Sequence, residues 1–458
     1  MAVDRSRLPS LGPEPTFTFP EVHRRTLPNG LRVWTVAHHE VAVTCVLLIM
    51  PVGASADPAD RPGLAAITGD LLDEGSGDLS AMEVHEALGR LGAHIDTEVG
   101  TDATVLGVTM LSRFADRGIE ILADMIIRPR LEQREFDRIR DLRLNRLVQL
   151  RDMPPALADR VFVQLLYKGH PYGHLPIGSE GSLRVMTLRE VMAFHRRAYD
   201  PARATAIVVG DAPSEELAAL VERAFGGWTV AAHEGGAAIP DPAAVPPPPA
   251  TADRIAMVHR PAAAQSELRI GHVGVPRSTP DYHALLVLNM VLGGQFVSRL
   301  NMNLREEKGY TYGARTSFDF RRGSGPFLFQ ASVQSEVTAD AVREALSELR
   351  AIRGDRPVTA HELEIGRAAL TRGYPRNFET AEQIARAAAQ LALYDLPEDY
   401  FTTFVARVLA VTEHDATVAA SRHIDPAKLL TVIVGDREKV GPALHRLELG
   451  TASEVSVA

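Results

Sequence analysis

Two short stretches decide how this chain folds: Asp200-Pro201-Ala202 followed by Ile207-Val208-Val209-Gly210-Asp211, and Asp425-Pro426-Ala427 followed by Val432-Ile433-Val434-Gly435-Asp436. They share one spacing and lie 225 positions apart (residue 200 to residue 425), about half of the 458 residues. The segments just before them, Met186-Thr187 and Val411-Thr412, keep the same offset, and each opens an apparent helix. A coincident offset over several segments indicates an internal repeat, so the sequence predicts two homologous domains.

A proline-rich segment separates the two repeats. It contains Gly235-Gly236 and the run Pro246–Pro249, which favour an extended, semi-rigid spacer. The ends of the chain are expected to be extended or frayed. We therefore predict an N-terminal extended arm over residues 1–21, a first domain over 22–228, a linker over 229–253, a second domain over 254–449 and a frayed tail over 450–458.

Each half mixes strands and helices. In the first half Val41–Met50 has the character of a strand, and Gly63–Glu74 carries its apolar residues on one helical face. In the second half Ile255–His259 resembles a strand and Ala284–Leu292 a buried helix. Because strands and helices do not alternate regularly, the sequence predicts an α+β fold, in which each domain is a mostly antiparallel sheet flanked by helices.

Composition excludes several classes of protein. The formal net charge of −9 argues against a nucleic-acid binder. The longest apolar stretches, Val41–Met50 and Ala284–Leu292, are too short to span a bilayer. The single cysteine, Cys45, rules out an intrachain disulfide, and residues 1–6 lack the apolar region of a signal peptide. We expect a cytoplasmic protein, or one whose leader has been removed, with no nucleic-acid or membrane partner.

Residues 63–72, Gly-Leu-Ala-Ala-Ile-Thr-Gly-Asp-Leu-Leu, have the frame G-L-A-H-x-x-E-H-x-L of the inverted zinc-peptidase helix. Its two His positions and its Glu position are occupied by Ala66, Asp70 and Gly69 respectively. A helical Gly costs roughly 1 kcal/mol against Ala, which indicates a helix kept for packing. Asp70, Asp73 and Glu74 offer carboxylates to a hard cation, but a polar helix end explains them, and zinc sites rarely lack both His and Cys.

The chain resembles the pitrilysin/insulinase family of zinc peptidases, in its short-chain bacterial branch. The resemblance extends from about Thr26 to Asp436. Singly its motifs are weak, but together and in this order they are specific. They are Leu27-Pro28-Asn29-Gly30-Leu31, Pro62-Gly63-Leu64-Ala65, His170-Pro171-Tyr172-Gly173, Tyr199-Asp200-Pro201, Leu292-Gly293-Gly294, Ser298-Arg299-Leu300 and Leu304–Tyr312.

The resemblance implies a zinc-polarised water and a carboxylate base from the inverted motif, with a third ligand, Glu, on a later helix. That helix corresponds to Phe136–Arg151. No Glu occurs between Glu135 and Glu180, and Arg146 lies about where the ligand is expected. All four catalytic positions are therefore changed. We expect this chain to hold no metal or other cofactor and to be inactive alone.

A second element of the family's site is preserved. In the family, an Arg and a Tyr seven residues later hydrogen-bond the substrate carbonyl and the oxyanion that develops on it. Arg305 and Tyr312 match that spacing, and Tyr310 is a second candidate for the phenol. From the residues alone, Arg305 also fits a charged helix end and Tyr312 a strand packed in the core. The resemblance favours the site.

These observations predict a non-catalytic subunit of a heterodimeric zinc metallopeptidase. The resemblance implies that the chain forms half of a clam-shell and supplies Arg305 and Tyr312 to a homologous subunit that carries the zinc motif. The substrate would be an unfolded peptide. One alternative is a structural, scaffold or peptide-binding protein of the same fold without a proteolytic role. Another is a self-sufficient hydrolase with a different metal centre.

Overall fold

A computed structural model describes residues 17–230, 239, 241–250, 254–447 and 449–456. Residues 1–16 of the predicted arm therefore lie outside the described residues. The predicted linker is described only at residues 229–230, 239 and 241–250.

The first half contains the strands β1 (His23–Thr26), β2 (Arg32–Ala37), β3 (Val43–Met50), β4 (Gly75–Ser76), β5 (Leu79–Ser80), β6 (His94–Val99), β7 (Thr104–Leu111) and β8 (Thr205–Gly210). Its helices are α1 (Leu64–Asp70), α2 (Ala81–Arg90), α3 (Ala115–Ile127), α4 (Gln133–Arg151), α5 (Pro154–Tyr167), α6 (Glu180–Val185), α7 (Leu188–Ala198) and α8 (Ser214–Phe225).

The second half contains the strands β9 (Ile255–His259), β10 (Gln265–Val273), β11 (Thr311–Phe318), β12 (Pro326–Gln334), β13 (Leu430–Gly435) and β14 (Ser453–Glu454). Its helices are α9 (Tyr282–Leu292), α10 (Arg299–Asn301), α11 (Thr338–Ala351), α12 (Ala360–Thr371), α13 (Ala381–Tyr394), α14 (Tyr400–Ala410), α15 (Glu413–His423) and α16 (Arg437–Leu444). A π-helix, Met302–Glu307, follows α10 directly.

The described residues form two six-stranded sheets, one in each half. The first has the order β1-β2-β8-β3-β7-β6 and the second β11-β12-β10-β13-β9-β14. In each sheet a parallel pair, β2–β8 or β9–β13, adjoins a run of antiparallel pairs, and the second sheet has a further parallel pair, β9–β14. The prediction of an α+β fold with mostly antiparallel sheets flanked by helices is confirmed.

The two halves repeat one another in five strands, since the order β2-β8-β3-β7-β6 corresponds to β9-β13-β10-β12-β11. β8 begins at Thr205 and β13 at Leu430, so the repeated Asp-Pro-Ala and Val-Gly-Asp segments frame topologically equivalent strands. The helices before them open with matching capping boxes, built by Thr187 with Glu190 and by Thr412 with Asp415. A side chain that caps the first turn satisfies backbone donors that the helix cannot satisfy itself. The predicted duplication is confirmed.

The halves are interlocked by two exchanged helices. Helix α5 of the first half packs on β10 and β13 of the second sheet, and α13 of the second half packs on β3 and β8 of the first. The ring of Phe162 on α5 lies directly over Gly271 of β10, where an added Cβ would meet its Cζ at 3.0 Å. Each sheet therefore completes its core with a helix from the other half.

A buried polar joint links the halves at the His170-Pro171-Tyr172-Gly173 motif. The Tyr172 hydroxyl donates to Asp102 Oδ1 at 2.7 Å and accepts from the Gly323 amide at 2.9 Å. The Arg322 amide donates to Asp102 Oδ2 at 2.7 Å. Burial raises the pKa of Asp102, although these hydrogen bonds oppose the shift. The motif joins a loop of the first sheet to the β11–β12 hairpin of the second.

Part of the tail is ordered, contrary to the prediction that it frays. Ser453 and Glu454 pair in parallel with Ala256 and Met257 and form β14 at the edge of the second sheet. An ion pair of 2.7 Å between Arg437 and Glu454 holds the strand there. Across the chain as far as the structure describes it, no helix is both long and apolar enough to cross a membrane.

Candidate functional site

The N-terminus of helix α1 is fixed by Gly63 and by the side chain of Asp57. Gly63 precedes it with φ of 100°, a left-handed conformation that favours glycine. The Asp57 carboxylate, which is fully buried, accepts hydrogen bonds from the amides of Gly63 and Ala65 at 2.6 and 2.7 Å. The helix ends at Asp70, earlier than the predicted Glu74, because the chain turns there toward β4.

The positions on α1 that correspond to the zinc motif are closely packed. Ala66 is buried, with 4% of its surface exposed. Gly69 faces β6, where an added Cβ would meet Val99 Cγ2 at 2.6 Å. A glutamate at residue 69 would require Val99 to move. The space that a general base and its water would need is therefore taken by an apolar side chain.

Asp70 forms an ion pair with helix α4. Arg143 Nη1 donates to Asp70 Oδ2 at 2.5 Å, and Arg143 Nη2 donates to the Pro176 carbonyl at 2.7 Å. The sequence analysis placed Arg146 about where the third zinc ligand is expected, and that assignment stays a prediction. The Arg146 guanidinium donates to Gln149 on its own helix.

The acidic end of α1 has protein partners. Asp73 lies 3.6 Å from His85, and Glu74 pairs with Arg138. Among the residues that the structure describes, no group of three or more His, Cys, Asp or Glu side chains could hold a metal ion. The interpretation of Asp70, Asp73 and Glu74 as a polar helix end is therefore favoured. Asp70 is the only carboxylate at the positions of the zinc motif, and Arg143 already binds it. These residues therefore do not fit zinc.

We therefore predict that the purified chain binds no stoichiometric zinc and cleaves no peptide alone. The reason is chemical: zinc sites use imidazole or thiolate donors, and Ala66, Gly69 and Asp70 supply neither. Elemental analysis after dialysis against a chelator and zinc reloading is the measurement. One zinc per chain, resistant to a second dialysis, would contradict the prediction.

The Arg305 and Tyr312 side chains meet at the surface of the second half. Arg305 lies on the π-helix, and Tyr312 lies on β11, the edge strand of its sheet. The Arg305 Cζ lies 4.9 Å from the centroid of the Tyr312 ring and 4.3 Å from that of Phe296. Tyr312 is 89% exposed, so the alternative that it packs in the core is wrong. Tyr310, in contrast, is partly buried and packs against the core.

The two elements that the sequence analysis singled out occupy equivalent places in the duplication. Helix α1 packs against the edge strand β6, and the π-helix packs against the edge strand β11. The first place is closed by Val99 and Arg143, whereas the second presents exposed aromatic rings around a cation. Phe296, 54% exposed, was not predicted from the sequence. No local signal separates it from any loop phenylalanine before the fold brings it to Arg305.

Fold and site together define a two-domain, peptidase-like protein. The Insulinase (Peptidase family M16) model matches residues 32–174, and the Peptidase M16 inactive domain model matches residues 186–370. The chain belongs to peptidase family M16.

Relatives and solved structures agree with this assignment. The chain is 29% identical over 351 residues to an uncharacterized zinc protease of Mycobacterium tuberculosis, covering 76% of this chain and 78% of the relative. It is 23% identical over 436 residues to one of Streptomyces coelicolor, covering 93% and 92%. A Pseudomonas fluorescens structure described as a peptidase M16 inactive domain has a TM-score of 0.81 at 23% identity, covering 91% of this chain and 98% of that one. A Helicobacter pylori protease has a TM-score of 0.84 at 23% identity, covering 91% and 99%.

Proposed function

We propose that this chain is the non-catalytic subunit of a two-chain M16 metallopeptidase. In this proposal it binds an unfolded peptide together with a homologous subunit that carries the zinc motif. The observation that carries the proposal is the exposed pair of Arg305 and Tyr312, since a tyrosine with 89% of its surface in solvent does little for the chain's own core.

The geometry of the pair suits donation to a substrate oxygen. Phe296 and Tyr312 hold the guanidinium by cation–π contacts, which engage the faces of the rings and of the guanidinium. Nε lies 3.4 Å from Glu306, and within the described part of the chain neither Nη atom donates a hydrogen bond to protein. The Nη groups and the phenol are therefore available as donors where an anionic oxygen develops.

The packed zinc-motif positions on α1 support the same assignment of roles to the two subunits. Since Ala66, Gly69 and the Asp70–Arg143 pair do not fit zinc, the metal and the base would belong to the partner. This chain's own residues would then orient the scissile carbonyl and stabilise the oxyanion. The proposal keeps the expected cytoplasmic setting, which fractionation of the native host would test.

Reconstitution tests the proposal. The homologous chain from the same host that carries an intact H-x-x-E-H motif is purified, and cleavage of an unfolded peptide is measured for each chain alone and for the mixture. We expect cleavage by the mixture only, with a complex of both chains in size exclusion. Full activity of the zinc-bearing chain alone would overturn the proposal and favour the scaffold alternative.

A further inference from the structure

A cavity is lined in part by residues of the same π-helix that carries Arg305. Its volume is about 560 Å³, and its lining includes Val297, Met302, Asn303, Glu306, Glu307 and Glu348. With Arg299, Arg356 and Glu362 the lining carries four carboxylates against two guanidinium groups. The lining itself therefore carries more acidic than basic groups, and Glu306 and Glu307 are paired with Arg305 and Lys308 beside it.

One ion pair of this cavity is complete. Arg299 donates from Nε and Nη2 to the two oxygens of Glu362 at 2.6 and 2.8 Å, and its remaining donors bind the carbonyls of Arg356 and Pro357. Burial opposes ionisation of Glu362, but the hydrogen bonds from Arg299 and Thr359 outweigh it and lower its pKa to about 2. Arg299 and Glu362 thus bind each other and the backbone, and we do not assign them to a ligand.

The Glu348 carboxylate has one oxygen without a hydrogen-bond partner among the described residues. It is only 4% exposed, and its Oε1 accepts from Asn303 Nδ2 at 3.0 Å and from Arg356 Nη1 at 3.1 Å. Its Oε2 is buried and has no hydrogen-bond partner among the described residues. A buried carboxylate oxygen without a donor is costly, and native structures rarely leave one.

Asn303 contributes a second buried acceptor to the same cavity. Its Nδ2 donates to Glu348 and, at 3.3 Å, to Glu344 Oε2, while its Oδ1 is buried without a partner. Exchanging the amide nitrogen and oxygen would place the oxygen against two carboxylates, so the contacts fix the orientation. Two side chains that line one cavity thus each carry a buried acceptor, and no donor among the described residues satisfies either.

The rim of the cavity is apolar and acidic. Val297 is 50% exposed and Met302 46% exposed, which suits contact with an aliphatic stem. Glu306 and Glu307 add exposed carboxylates beside them, each with one cationic neighbour, Arg305 at 3.4 Å and Lys308 at 2.8 Å. An alkyl chain on the rim with a multivalent cationic donor at its tip matches this arrangement in shape and in charge.

We infer that this cavity is a binding site for an arginine side chain. The guanidinium donates to Glu348 Oε2 and Asn303 Oδ1, and its methylene stem lies against Val297 and Met302. A guanidinium fits better than an ammonium because its planar fork presents several donors at once to neighbouring acceptors. The inference is independent of the proposed peptidase role, since it concerns binding by this chain alone.

The test is a titration of the full chain with three ligands, followed by the Met302 methyl signal in ¹³C-methyl-methionine NMR. The ligands are Nα-acetyl-arginine amide, its uncharged isostere Nα-acetyl-citrulline amide, and a blocked pentapeptide, Ala-Ala-Arg-Ala-Ala. We expect the arginine amide to bind at least about tenfold more tightly than the citrulline amide, because its hydrogen bonds are charge-assisted. Tighter binding of the pentapeptide identifies a peptide as the source of the side chain, and equal binding identifies a free arginine-like molecule.

Variants localise the effect. Glu348→Gln keeps the shape and removes the charge, so we expect arginine affinity to fall about tenfold or more. Glu364→Gln, an exposed position on α12, is the matched control and should bind as the parent chain does. If circular dichroism shows that Glu348→Gln is unfolded, Glu306→Gln at the rim takes its place, with a smaller loss expected. Equal binding of the arginine and citrulline amides, or unchanged affinity in the folded charge-removing variant, overturns the inference.

Discussion

Replacing Tyr312 by Phe, or Arg305 by Ala, is expected to lower turnover of the reconstituted peptidase by about 10²–10³-fold without dissociating the complex. Both side chains are proposed to donate where negative charge develops, so their loss falls on the rate constant more than on substrate binding. The Tyr312→Phe variant keeps the ring that lies 4.9 Å from the Arg305 Cζ. It therefore removes the phenol donor and keeps the ring contact that holds the Arg305 guanidinium.

Two further variants make this result specific. Arg305→Lys is expected to recover only part of the rate, since a point charge on a flexible stem does not reproduce a planar fork held between Phe296 and Tyr312. Tyr310→Phe is the matched control, because Tyr310 packs against the core two residues before Tyr312. Its turnover should equal that of the parent chain.

The measurement is cleavage of an unfolded peptide under saturating conditions, with complex formation checked by size exclusion. Turnover near the parent value for both Tyr312→Phe and Arg305→Ala, in an intact complex, would show that the pair is a remnant. The chain would then be a scaffold of the M16 fold.

The architecture could be predicted because it is encoded in local signals that occur twice. Two capping residues, Thr187 and Thr412, keep the same offset as the buried strands that follow them. The elements of one half therefore predict the positions of the elements in the other. The missing zinc chemistry was equally local, since its His and Glu positions fall within one short stretch around Ala66. Periodicity and frame are sufficient for features of this kind.

Features that depend on long-range contacts could not be predicted in this way. The pairing of Asp70 with Arg143 joins residues 73 positions apart, and no local pattern in the sequence indicates it. The exchange of α5 and α13 is likewise invisible in the sequence, because an amphipathic helix does not record which sheet covers its apolar face. The boundary between the two repeats in the sequence therefore does not coincide with the boundary between the two hydrophobic cores.

That exchange has a large consequence for stability. Phe162→Ala is expected to lower the free energy of unfolding by about 3–5 kcal/mol, the cost typical of a buried phenylalanine replaced by alanine. The side chain is 1% exposed and lies over Gly271 of the opposite half. Urea denaturation, monitored by circular dichroism, is the measurement. Gln164→Ala, an exposed change on the same helix, should stay within about 0.5 kcal/mol of the parent.

The same exchange predicts that the halves unfold together. Ile384→Ala on α13, at a residue 1% exposed, should cost about 2–5 kcal/mol and shift the same transition, although α13 covers the first sheet and α5 the second. Because each sheet borrows a helix from the other half, neither core survives the loss of its partner, and one cooperative transition is expected in both variants. Separate transitions, with Phe162→Ala moving only one of them, would show that the two cores are independent and that the borrowed helices contribute little to either.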